Sequence, residues 1–183
     1  MPTTKNKLEQ GLKDYLECEE FINDLFSRAN FCVPNCISKP IGLYRERSEM
    51  PGDPTQFSGH IGCCPYNMFD STNYPEISDH SVLDAQRVEK YSIQKKQKGA
   101  CDYHSSSGCQ LKTHKSPICV SWICDEFVQY LAEQKGINYP RRIIEEKLEL
   151  ILAGKESKKS VFEFKRKLKS MNTKIKVINF LRI

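Results

Sequence analysis

Apolar residues recur at helical spacing in five stretches of the chain, and polar or irregular sequence separates them. Over 5–28, Leu8, Leu12, Tyr15, Leu16, Ile22, Leu25 and Phe26 fall every three or four positions with charges between them, which predicts a first helix. Ser78 or Asp79 can cap a second helix running to about Gln97, with Val82, Ala85 and Val88 along one side and Gly99 after its end. A third is expected over 121–134, carrying Trp122, Ile123, Phe127, Val128, Tyr130 and Leu131 and stopped by Gly136. Pro140 suits the first position of a fourth, with Ile143, Ile144, Leu148, Ile151 and Leu152 facing inward and Gly154 as its C-cap.

Ser160 and Glu163 have the spacing of a capping box for a last helix, whose apolar stripe is Val161, Phe164, Leu168 and Met171. Phe162, Phe164 and Phe180 read as core. Residues 174–183 alternate loosely, as a short strand would. Between 30 and 75 the pattern breaks: six prolines and four glycines prevent long regular elements, and a loop of that length in a compact domain needs a staple. Residues 42–59 look like a solvated excursion, and 101–117 is again irregular. The expected fold is mostly α: a small helical domain with a loop-rich, cysteine-rich metal-binding centre.

Cysteine changes this picture most. Nine occur in 183 residues, eight of them between Cys32 and Cys124, and all four histidines share that interval. Cys18 lies in the first helix and reads as a helical thiol outside any site. The N-terminal residues offer no apolar core of a secretory signal, so a cytoplasmic protein is expected. Structural disulfides are uncommon there, and metal ligation or redox chemistry is the commoner use of many cysteines. Disulfides remain the alternative for a secreted chain. No apolar run approaches the ~20 residues of a membrane-spanning helix, so no membrane partner is expected.

The spacing Cys101-x7-Cys109-x9-Cys119-x4-Cys124 is the sharper half of the cluster. Gly108 allows a tight turn before Cys109, and Pro117 stiffens the approach to Cys119. Cys124 falls in the first turns of the third helix, whose positive end would favour a thiolate near Cys119. The other half is Cys32-x3-Cys36 followed by the adjacent pair Cys63 and Cys64, whose side chains on extended backbone would point to opposite faces. Eight thiolates suit two four-thiolate sites, or one site with supporting thiols. Zinc and an iron–sulfur cluster stay equally open, because no C-x2-C knuckle or ferredoxin run occurs. His104 and His60 are spaced to substitute for a thiolate, though a lone loop histidine is more often not a ligand.

The run of Gly62-Cys63-Cys64, Cys101-x7-Cys109 with Gly108, Lys115-x-Pro117-x-Cys119 and Trp122-x-Cys124 resembles the bacterial cysteine-cluster family. That family comprises zinc- or iron-chelating domains and has a flagellin lysine N-methylase branch. The resemblance covers about half the chain. It implies Cys63, Cys64, Cys101, Cys109, Cys119 and Cys124 as ligands, with Cys32 and Cys36 standing for the family's first motif at a spacing of three instead of two. It implies metal binding and assigns no reaction.

Charge divides the chain in a similar place. From position 141 onward there are 13 basic and 5 acidic residues, whereas the rest has 15 basic and 18 acidic. The expected organisation is a cysteine-cluster domain over 1–136 with a basic helical extension, 137–183, packed on it. No phosphate loop, dinucleotide fingerprint, zinc-protease or hydrolase motif is present. The function expected is a cytosolic protein holding zinc or an iron–sulfur cluster. The alternatives are an iron–sulfur redox or transferase enzyme, and a zinc-stabilised adaptor that binds nucleic acid or an acidic protein through its basic tail.

Overall fold

A computed structural model of the chain describes residues 4–32, 81–91, 103–105 and 108–180. The predicted loop over 30–75 lies almost wholly outside them, as do Cys36, Cys63, Cys64, Cys101 and His60. The described residues form α1 (Thr4–Ala29), α2 (Ser81–Lys90), β1 (His104–Ser105), β2 (Gly108–Cys109), α3 (Pro117–Ser121), α4 (Asp125–Lys135), α5 (Arg141–Leu152) and α6 (Lys158–Phe180). The protein is therefore mostly helical, as the apolar spacing predicts.

Leu12, Tyr15, Ile22, Leu25 and Ala29 are buried along one stripe of α1. The helix ends at Asn30, which takes a left-handed conformation (φ 46°) and donates its N–H to Phe26 O at 3.1 Å. α5 and α6 both pack on α1. Gly11 permits the closest approach, since a Cβ there would stand 2.6 Å from Ile151 O and 2.8 Å from Leu152 O. Lys165 of α6 bonds Asp14 (2.6 Å) and Glu17 (2.7 Å), and seven residues on Asn172 bonds Phe21 O (3.0 Å) and Asp24 (2.9 Å). These contacts advance together along both helices, so α1 and α6 run parallel. One apolar core passes through all of this, from Leu12 to Ile175, including residues on both sides of position 136. An aromatic group closes one end: Phe31 stacks on Phe127 (centroids 4.9 Å, planes at 5°), with Phe26, Tyr130 and Tyr139 tilted around them.

Several local expectations are corrected. The single helix expected over 121–134 is two helices. Trp122 is extended (φ −76°, ψ 120°) and ends α3, and Cys124 caps α4. The Arg141 guanidinium stacks on the Trp122 ring and bonds Ile123 O, which holds the break open. Asp125 and Glu126 then supply the acidic first turn that a helix N-terminus favours. Pro140 stands one position before α5 instead of opening it.

The α6 cap is Ser157, whose Oγ accepts the Ser160 N–H at 3.2 Å. Ser160 instead accepts from Lys147 Nζ. The strand expected over 174–183 is helix as far as Phe180, because Ile175 continues the buried stripe four residues after Met171. Ile143 and Phe162 face outward, 61% and 66% exposed. Each lies on the side of its helix opposite the buried stripe, at 100° per residue from its neighbours. Gly108 sits in the paired strand β2, opposite Ser105.

Candidate metal centre

Four of the eight predicted ligands, Cys32, Cys109, Cys119 and Cys124, fall among the described residues. The strands β1 and β2 pair antiparallel, with His104 opposite Cys109 and Ser105 opposite Gly108. Gln110 N–H donates to Tyr103 O at 2.8 Å and carries the chain away from this hairpin. Cys109 is exposed, and its Sγ lies 3.9 Å from Leu111 O. The chain then loops over 110–116 to α3. There Ser116 caps the helix, its Oγ accepting from Cys119 N–H at 3.5 Å, and Pro117 occupies the first turn.

The loop owes its shape to buried polar groups. Glu19 of α1, fully buried, accepts the consecutive N–H groups of His114 (2.8 Å) and Lys115 (3.0 Å), one on each carboxylate oxygen. Presenting two successive N–H groups to one anion requires a sharp bend, and His114 supplies it with φ 66°. Histidine is among the residues that tolerate this region. Arg87 of α2, 2% exposed, donates from Nε to His114 O at 2.5 Å and from Nη1 to Asp84 at 2.6 Å. Tyr15 donates its hydroxyl to Lys115 O at 2.6 Å. On the outer side, Tyr91 Oη accepts from the N–H groups of Lys112 and Thr113. The His114 ring lies between Thr113 Oγ1 (2.8 Å) and Gln86 Oε1 (3.2 Å). Burial, with Lys90 and Arg87 nearby, holds its pKa below the usual histidine value.

Burial raises the Glu19 carboxyl, against the pull of the Lys115 and His114 amides and the Arg87 charge. Burial likewise raises the Tyr15 hydroxyl, and the Glu19 carboxylate adds to the effect.

Cys109 and Cys119, ten residues apart, lie within electrostatic reach of one another, and Arg87 also acts on Cys119. The thiolate expected at Cys119 is corrected. Burial pushes the thiol up and Cys109 pushes it further, outweighing the Ser116 hydrogen bond and Arg87. α3 has only five residues, too few for a strong dipole.

Cys32 and Cys124 are both half-buried and each packs against the apolar core. Phe31 precedes Cys32 and stacks on Phe127, whose N–H donates to Cys124 O at 3.1 Å. Cys124 is thus the residue before α4, not one within its first turns. Cys18 is a core thiol with no exposed surface, and burial pushes its pKa up to about 12.

Among the described residues no three His, Cys, Asp or Glu side chains stand close enough to hold a metal ion. A four-thiolate site built on Cys109 and Cys119 would therefore need donors from the remaining predicted ligands. Among the described residues, no helix is long and apolar enough to cross a membrane.

Glu19 and Arg87 were not singled out from the sequence, yet both leave a signal there. Glu19 follows Tyr15 by four and precedes Ile22 by three, so it falls on the apolar face of α1. Arg87 follows Leu83 by four in the same way. A charged residue on a buried stripe requires a buried partner. Comparison with protein-family models, with curated proteins and with solved structures gives no match to this chain.

Proposed function

We propose that this is a cytoplasmic protein that holds zinc or an iron–sulfur cluster through cysteine thiolates, Cys109 and Cys119 among them. The observation that carries the reading is that Cys109 and Cys119 flank a loop whose shape is set by Glu19, Arg87 and Tyr15, with Cys109 among the groups that raise the Cys119 thiol. Soft sulfur donors select zinc or iron–sulfur clusters over hard cations. A bound cation would also favour the thiolate at Cys119, offsetting the cost of its burial. The resemblance to the cysteine-cluster family adds Cys63, Cys64, Cys101 and Cys124, with Cys32 and Cys36, as the remaining donors.

Elemental analysis of anaerobically purified protein tests this, beside the same analysis of Cys109→Ser and Cys119→Ser. Stoichiometric zinc, or iron with acid-labile sulfide and a brown colour, is expected in the parent protein, with loss in both variants. Full metal content in both variants would overturn the assignment. Iron without zinc would direct attention to redox chemistry, since zinc has none.

A further inference from the structure

The outer face of α6 combines features that the apolar core does not explain. Phe162 is 66% exposed on the side of the helix opposite Phe164 and Leu168. Within about 60° of it around the helix, at 100° per residue, fall Lys158, Lys159, Arg166 and Lys169, with Lys165, engaged by Asp14 and Glu17, at the edge of that sector. Lys158, Lys159, Arg166 and Lys169 are exposed, and none makes an ion pair among the described residues. The acidic residue of the helix, Glu163, lies outside that sector.

This arrangement works against the stability of α6. Its first turn has no acidic residue and carries Lys158 and Lys159, where the helix dipole disfavours positive charge. A face selected only for solvation would place Glu or Asp there and alternate signs along the surface. An exposed aromatic ring in the middle of such a face adds apolar surface with no partner in the fold.

We propose that this face binds single-stranded nucleic acid, with phosphates along Lys158, Lys159, Arg166 and Lys169 and a base stacked on Phe162. The surface from Lys158 to Lys169 is about 16 Å long at 1.5 Å per residue. That length accommodates about four or five nucleotides at ~3.4 Å each. A basic track interrupted by an aromatic ring is the combination that binds single strands without sequence preference. Duplex offers no unstacked base to Phe162. An anionic membrane fits less well, because a helix lying in a membrane surface inserts its apolar face. The apolar face of α6, from Val161 to Ile175, is already buried in the core. The proposal is independent of the metal reading, since it uses none of the cysteines.

The test uses the full chain and fluorescence anisotropy with a labelled single-stranded oligonucleotide of about ten residues. Binding should weaken roughly fiftyfold between 50 and 200 mM salt if four phosphates are neutralised, at a slope of about 0.7 per phosphate. Phe162→Ala should weaken binding fivefold or more, the lower end of what one base–aromatic stack supplies. Lys158→Glu with Lys159→Glu should cut the salt slope by about 1.4. The same pair should raise the melting temperature, because the helix N-terminus is relieved. Lys13→Glu, on exposed α1, should change neither. No salt-dependent binding, unchanged affinity in Phe162→Ala, equal loss in Lys13→Glu, or preference for duplex or for phosphatidylserine vesicles would each overturn the proposal.

Discussion

The helical frame and the segment between Cys109 and Cys119 are stabilised by opposite means. In the frame, α1, α5 and α6 meet through Leu12, Ile22, Leu148, Ile151, Leu168 and Ile175, all buried and all apolar. In the segment, the main chain is held by a carboxylate, a guanidinium and a phenol, each reaching in from another element. An apolar core tolerates small adjustments at modest cost, whereas a buried polar network stabilises only while every member is satisfied. The difference teaches that the loop between Cys109 and Cys119 takes its shape from the protein's own polar groups.

Mutations at the two regions should separate them. Leu148→Ala in the frame should lower global stability by about 2–5 kcal/mol in urea unfolding, with all probes moving together, because it opens a cavity at a fully buried site. Glu19→Ala should cost about 2–3 kcal/mol, because two buried N–H groups lose their acceptor. Its effect should concentrate in residues 110–116. Gly11→Ala should cost about 1–3 kcal/mol, since the new Cβ meets the carbonyls of Ile151 and Leu152 and α1 must withdraw from α5. A segment-wide response to Leu148→Ala but none to Glu19→Ala would erase the distinction.

Two milder measurements sharpen it. In thiol labelling of metal-free protein, Cys109 should react first and Cys119 more slowly, with Cys18 reacting only on unfolding. Early modification of Cys18 would contradict its place in the core. For pH, His114 has a folded pKa depressed below its unfolded value. Its contribution is therefore present above the unfolded pKa, near 6.5, and is lost as pH falls through the folded value. Between pH 7 and 5 the parent protein should lose stability relative to His114→Asn, which keeps a residue tolerant of positive φ and removes the titration. Parallel pH profiles for the two proteins would contradict this.

The frame was readable in the sequence because its signal is local. The stripe Leu12, Tyr15, Ile22 and Leu25 repeats at helical spacing, and Leu148, Ile151 and Leu152 do the same. Turns set by distant residues were not readable. The break at Trp122 depends on Arg141, nineteen residues on, stacking on its ring. The α6 cap is Ser157 and not Ser160, which lies inside the helix and accepts from Lys147 of α5.

Glu19 stood visibly on an apolar face, but its partners, His114 and Lys115, lie about 95 residues away. Phe162 is apolar yet exposed, because its phase on the helix lies opposite Phe164. For the candidate site, the sequence offers Cys109 and Cys119 as two of eight cysteines in one series, and the polar groups that shape the loop between them come from α1 and α2, far away in sequence.

The most direct test is amide hydrogen exchange at His114 and Lys115 in protein freed of metal by chelation, compared with Glu19→Ala prepared in the same way. If Glu19 holds the loop, both amides are protected in the parent protein without metal and exchange rapidly in the variant, while the Leu148 amide is unchanged. Amides that exchange freely in the chelated parent, or that stay equally protected in Glu19→Ala, would contradict the account.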